Sequence, residues 1–199
     1  MNEVDQSKFW EDIYLENDAG WDLEDVTPVF EILSKSLPKG KVCIVGCGRG
    51  YDAIMFAQKG FEVTAIDFAP TAINSVKSLA IKSKVKVNTV KADIFSLKAE
   101  HLNTYDYIIE QTCFCAIHPS RRKEYEKLVK SILKPDGQLI GLWFPLDKKL
   151  DEGGPAWGTT LEEVKSIFNS GWSIVKEEFP KHSIEPRKGR EKLIIFRKC

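Results

Sequence analysis

Apolar residues recur along this chain in short runs, each followed by a stretch with helical spacing. Strand-like runs fall at 41–46, 61–67, 85–91, 105–111 and 137–144, with helical patterns between them at 51–59, 69–81 and 120–134. Ahead of the first strand, residues 27–36 read as a helix. Thr27 takes its cap position and Pro28 its first helical position, where a missing N–H costs nothing. Lys134-Pro135-Asp136-Gly137 reads as a sharp helix-to-strand turn. After the fifth strand come a Gly/Pro loop, LDEGGPAWG, and a helix at 160–169. Two last strands, WSIVKEEF and EKLIIFRK, are joined by a polar loop. Alternation at this spacing predicts an α/β, doubly wound fold with right-handed crossovers. Its sheet has seven strands, mostly parallel, closed by an antiparallel C-terminal strand pair. No internal repeat or low-complexity segment interrupts it.

The first strand empties into VGCGRGYD, which places Gly46, Gly48 and Gly50 ahead of a helix. Glycine permits a sharp turn and the close approach of a ligand, and the helix behind it points its amides at that ligand. Twenty-one residues after Gly46, the run FEVTAID ends in Asp67. An acid about 20 residues past a glycine turn, at the tip of the neighbouring strand, can accept both hydroxyls of a ribose. A dinucleotide fingerprint, G-x-G-x-x-G, would need a glycine at position 51, which is Tyr51. The spacing G-x-G-x-G fits a nucleoside ligand without a pyrophosphate, such as S-adenosylmethionine. A third run, VKVNTVKAD, ends in Asp93, followed by Ile94 and Phe95. Asp93 alone suits a helix N-cap. Taken with Asp67 one unit earlier, it is read as accepting the adenine amino group, with the next apolar side chain packed on the ring.

Composition narrows the setting. The chain has 199 residues, enough for one large core and short for two, so one domain over 1–199 is expected. Acidic and basic residues number 29 each, which argues against an electrostatic nucleic-acid binder. Cys43, Cys47, Cys113, Cys115 and Cys199 are an odd set without metal-type spacing, so a reducing compartment is expected rather than a disulfide framework. The charged N-terminus has no apolar signal region, and no apolar run approaches a membrane span. A cytoplasmic protein, without metal or membrane association, is expected.

The glycine motif, the two strand-tip acids, the KPDG turn and the terminal strand pair resemble class I S-adenosylmethionine-dependent methyltransferases. The segments FWEDIY, GWDL, VGCGRGYD, FEVTAIDFAPTAI, FCAIHPSRR, LKPDG, GGPAW and HSIEPRKGREKL resemble the thiopurine methyltransferase superfamily, and within it the plant-type thiol/halide methyltransferases. Many class I enzymes carry an acid two residues before the first glycine. Here that residue is Ile44, a departure that the thiopurine group shares.

The resemblance implies a Rossmann-like methyltransferase fold, S-adenosylmethionine as cofactor with S-adenosylhomocysteine as product, and no metal. It implies that residues 1–36 cap the cofactor and 37–199 form the catalytic core. Trp10 and Trp21 would close over the cofactor, with Gly46 and Gly48 in the turn beneath it. Asp67 would bind ribose, and Asp93 with Ile94 the adenine. Glu110 and Gln111 would lie next to the methionine moiety or the acceptor, although relatives carry Tyr or Arg at the Gln111 position. No residue is assigned a catalytic role outright; Gln111 and Arg187 are the candidates on the acceptor side.

The expected reaction is in-line displacement by a small-molecule nucleophile, a thiol or a halide or pseudohalide, on a monomer. Such nucleophiles need alignment and dehydration rather than a strong general base. A thiopurine, oxygen, nitrogen or tellurium acceptor is the alternative within the same fold. A non-catalytic cofactor-binding regulatory module and a nicotinamide-dependent oxidoreductase are the alternatives outside it. His118 reads as a base or a cap, Arg121 and Arg122 as a solvated helix face, and Phe114 as core. The GGPAW loop, with Trp157, reads equally as a lid or as a plain connection.

Overall fold

Val42, Cys43, Ile44 and Val45 are all buried, as a parallel strand covered on both faces requires. They belong to β1 (Lys41–Val45). The computed structural model describes residues 2–199, and the chain forms two compact units, one ending at Leu97 and the other running from Lys98 to Cys199.

In the first unit α1 (Ser7–Leu15) and α2 (Pro28–Ser34) precede β1, and α3 (Tyr51–Gln58), β2 (Glu62–Asp67), α4 (Pro70–Ser83) and β3 (Val87–Lys91) follow it. The strand order is β3-β2-β1, all parallel. Val45 stands opposite Ile66, and Asp67 opposite Lys91, so the three strands end nearly level. The second unit holds β4 (Tyr105–Gln111), α5 (Arg122–Ile132), β5 (Leu133–Trp143), α6 (Leu161–Ile167), β6 (Trp172–Glu178) and β7 (Lys192–Lys198). Its order is β4-β5-β7-β6, with β4 and β5 parallel and β7 antiparallel to both neighbours. Phe114, Trp143, Phe168, Trp172 and Phe196 pack ring against ring in its core. The seven strands are those expected from the alternation: a mostly parallel sheet with an antiparallel C-terminal pair.

Several local readings change. The KPDG segment is not a turn between helix and strand but lies inside β5. Tyr105 pairs with Leu133 and Tyr107 with Gln138, so β5 advances five residues while β4 advances two. Asp136 adopts a φ of 61° in this bulge, and a Cβ on Gly137 would lie 2.9 Å from the Lys134 carbonyl oxygen. Thr27 does sit at the cap of α2, but its hydroxyl and its N–H both donate to the Asp52 carboxylate, at 2.8 Å each. α1 is a helix that the pattern did not single out. Glu11 ties it to the start of α4, accepting from the Thr71 N–H at 2.9 Å and hydroxyl at 2.7 Å. The Ser7 hydroxyl donates to the Phe68 carbonyl at 2.6 Å. Among the described residues no helix is long and apolar enough to cross a membrane.

Candidate active site

In the first unit the chain leaves β1 through Gly46, Gly48 and Gly50, all at positive φ. The Gly48 N–H donates to Asp67 Oδ2 at 3.0 Å, and the Ala69 N–H to Asp67 Oδ1 at 3.0 Å. Asp67 is buried. Burial pushes its carboxyl above the ordinary value, the Ala69, Gly48 and Phe68 amides pull it back, and Glu11 adds a further upward push. The carboxylate is held by the backbone through both oxygens and keeps acceptor capacity that could meet a ribose. A Cβ on Gly48 would lie 3.2 Å from the Tyr14 hydroxyl, and its φ of +55° favours glycine. The pairing of a two-oxygen acceptor with a bare turn fits a nucleoside.

Aromatic rings of the N-terminal segment stand over this turn. Trp21 packs edge-to-face on Trp10 at 5.4 Å and on Tyr14 at 5.7 Å. Trp10 is buried and donates its indole N–H to the Val4 carbonyl at 2.9 Å, whereas Trp21 is half-buried. Trp21 therefore keeps more open ring surface than Trp10. Burial, then the Asp67 carboxylate, raise the Tyr14 phenol well above its ordinary value, against a hydrogen bond from the Trp21 side chain. Tyr14 stays protonated beside Asp67. Sequence reasoning missed this residue, although its i,i+4 spacing from Trp10 within FWEDIY was the available signal. Arg49 lies over the Tyr14 ring at 5.5 Å and pairs with Asp22 at 2.8 Å.

Asp93 follows the end of β3, and the Ala92 N–H donates to the Asp67 carbonyl at 3.1 Å. Its Oδ1 accepts the Phe95 N–H at 3.0 Å, capping the short 3-10 turn Ile94–Ser96. Asp93 is thus an N-cap, and Oδ2 takes no part in that cap. Ile94 beside it is buried. The structure brings Gly48, Asp67, Tyr14 and Trp21 around one turn and sets Asp93 one strand further along.

In the second unit Glu110 and Gln111 close β4. The Glu110 side chain is buried and occupied by its own surroundings. Its Oε1 accepts the Cys113 N–H at 3.1 Å and the Phe114 N–H at 2.9 Å, and its Oε2 accepts the Tyr125 hydroxyl. It shapes the loop that follows Gln111. Burial pushes its carboxyl from an ordinary 4.5 up to about 7, against the hydrogen bonds from Phe114, Tyr125 and Cys113. Between those two values the folded chain holds a proton that the unfolded chain has released. Stability contributed by this group therefore falls as pH rises from 4.5 to 7, by about 3 kcal/mol in all. Glu110→Gln is expected to flatten that part of the pH–stability curve, read from denaturant midpoints at pH 5 and 7.5. An unchanged slope would assign the dependence elsewhere.

Gln111 is half-buried at the strand end. His118 caps the 3-10 turn Pro119–Arg121, its Nδ1 accepting the Ser120 N–H at 3.3 Å and lying 2.8 Å from the Ser120 hydroxyl. Arg121 pairs with Glu124 at 2.8 Å on the surface. Arg122, read as part of a solvated face, is instead 1% exposed; its partner Glu163 lies 41 residues away. Phe114 is core, as expected. Arg187 is buried, 5.4 Å over the Phe144 ring. Burial, then Glu110, push the Cys115 thiol up to about 12, while Arg187 and Arg122 pull it down, so it stays a thiol. Among the described residues no group of three or more His, Cys, Asp or Glu is placed to hold a metal ion.

A glycine turn after the first strand of a mostly parallel sheet, an acid at the tip of the second and an antiparallel closing pair define a Rossmann-like methyltransferase fold. The solved structure of 1,6-didemethyltoxoflavin-N1-methyltransferase from Burkholderia thailandensis has that fold. It superposes with a TM-score of 0.75 at 22% identity, covering 96% of this chain and 86% of that one. Residues 5–197 match the model of the thiopurine S-methyltransferase (TPMT) family, and the chain belongs to that family of S-adenosylmethionine-dependent methyltransferases. Similar relatives include probable thiol methyltransferase 2 of Arabidopsis thaliana, 33% identical over 95% of this chain and 84% of its own length. Thiocyanate methyltransferase 1 of Brassica oleracea is 32% identical over the same shares.

Proposed function

We propose that the protein methylates a small thiol, halide or pseudohalide, working as a cytoplasmic monomer of one domain. The observation that carries the acceptor class is likeness to named thiol and thiocyanate methyltransferases over 95% of the chain. In this reading Gly46 and Gly48 form the floor of the cofactor site, Asp67 holds the ribose, and Asp93 with Ile94 holds the adenine. Residues 1–36, with Trp10 and Trp21, are the cap, and residues 37–199 the core. Gln111 faces the methionine moiety or the acceptor, Glu110 fixes the loop beyond it, and Arg187 offers charge-assisted bonds to an anionic acceptor.

Bound S-adenosylmethionine supplies an electrophilic methyl group on a sulfonium. The acceptor's lone pair forms the new bond to that carbon as the carbon–sulfonium bond breaks, its electron pair passing to sulfur; a thiol acceptor releases its proton to solvent. Trp21 offers an aromatic face to the cation, worth roughly 0.5–2 kcal/mol. Alignment of the two reactants contributes more, up to ~7–11 kcal/mol in favourable cases. Exclusion of water by the cap strengthens the attraction between anion and sulfonium.

The test is a panel of sulfide, thiocyanate, iodide, an aromatic thiol and a thiopurine, each with methyl-labelled cofactor. Sulfide, thiocyanate or iodide should lead in kcat/KM. A thiopurine in first place, or turnover confined to oxygen or nitrogen acceptors, would replace the proposed acceptor class.

A further inference from the structure

We propose that Arg122 is a positioning residue for the acceptor side of the site, acting through Trp157. The inference rests on the functional reading above, which sets Gln111, the last residue of β4, beside the methionine moiety or the acceptor; in open parallel sheets ligands lie beyond the carboxyl ends of the strands. In the second unit those ends are Gln111 and Trp143, and the loops that leave them run through 112–118 and 144–160.

Those loops are joined at Trp157. Its N–H donates to the Cys115 carbonyl at 2.8 Å, and its ring stands edge-on to His118 at 5.4 Å. Gly154 packs against the indole, leaving no room for a Cβ. Trp157 is half-buried, so it retains surface for a ligand.

Arg122 grips this junction from beneath. Its Nη1 donates to both oxygens of Glu163, at 2.9 and 2.8 Å. Its Nη2 donates to the Gly158 carbonyl at 3.0 Å and the Trp157 carbonyl at 3.4 Å. The guanidinium lies 4.6 Å over the Phe114 ring, and Phe114 is held in turn by Glu110 through its N–H. One planar fork thus spans α5, α6 and both loops. At 1% exposure Arg122 cannot touch an acceptor itself. Lysine keeps the charge but is a point donor on a flexible stem, without a fork to serve a carboxylate and two carbonyls together.

Arg122→Lys is the test. A displaced site wall that weakens acceptor binding equally in the ground and transition states raises KM and spares kcat, so acceptor KM should rise about tenfold, with kcat within about threefold of the parent. S-adenosylhomocysteine affinity, measured by calorimetry, should stay within about twofold, because the ribose and adenine contacts argued above lie in the first unit. Acrylamide quenching of Trp157 emission, isolated by comparison with Trp157→Phe, should increase. A clamp that is only structural would lower the melting temperature and leave acceptor KM and quenching at the parent values; that result overturns the inference. A fall in cofactor affinity matching the rise in KM overturns it too. Should Arg122→Lys fail to fold, Glu163→Gln keeps Arg122 and should show the same signature at smaller amplitude; parental KM and quenching there would be equally fatal. The acceptor panel on the parent protein is scored first, and the variants are read on whichever acceptor it turns over. Failure of the thiol and halide reading is thereby seen in the parent, and failure of the Arg122 role in the variants.

Discussion

Asp67→Asn is expected to weaken S-adenosylhomocysteine binding on the order of a hundredfold. The Asp67 carboxylate receives the Gly48 and Ala69 amides on separate oxygens, and those amides fix its orientation at the turn. Asparagine offers one acceptor oxygen, and its NH2 group must then face a backbone N–H. A hydrogen bond to a charged group contributes about 1.5–3 kcal/mol. Loss of the charge toward both ribose hydroxyls therefore removes roughly 3 kcal/mol, a little over two decades in Kd. Calorimetry gives the affinity and far-ultraviolet circular dichroism reports the fold. Parental affinity in a natively folded variant would remove Asp67 from the cofactor site.

Gly50→Ala should destabilise the first unit strongly. Gly50 has a φ of +90°, and a Cβ there would lie 2.5 Å from Val76 Cγ2. Val76 is buried on α4, and its short branched side chain has no room to swing away. Positive φ and overpacking act together, so about 3 kcal/mol of destabilisation is expected. For a chain of this size that corresponds to a fall in Tm of roughly 6–12 °C. Cofactor affinity should fall with it, since Gly50 ends the turn that presents Gly48. A melting temperature within a degree or two of the parent would mean that α3 and α4 pack differently at this point.

The parts of the site legible in the sequence were those set by local chemistry. A glycine turn and an acid at the next strand tip are short-range signals, and Gly48 and Asp67 do meet. The parts that were not legible depend on distant partners. Arg122 follows another arginine and reads as solvated; its burial is decided by Glu163 and by the carbonyls of residues 157 and 158. The KPDG segment carries the residues of a turn, and only the pairing of Leu133 with Tyr105 makes it a bulge. α1 starts from Gln6 without a side-chain cap, so its nine residues gave no start signal, and Tyr14 was lost with it. Asp93 can cap its 3-10 turn and still serve the proposed adenine contact, since the N-cap uses only Oδ1.

Methyl transfer to a small, already nucleophilic acceptor can be read from a single sealed-vial experiment. The protein is sealed with S-adenosylmethionine and sulfide, and methanethiol and dimethyl sulfide in the headspace are counted against S-adenosylhomocysteine in the liquid. The expected result is that methyl groups in methanethiol and dimethyl sulfide together equal S-adenosylhomocysteine, all increasing with time and reduced about a hundredfold when Asp67→Asn replaces the parent at low cofactor concentration. S-adenosylhomocysteine without a methylated sulfur product, or neither product from sulfide, thiocyanate or iodide under saturating cofactor, would contradict it.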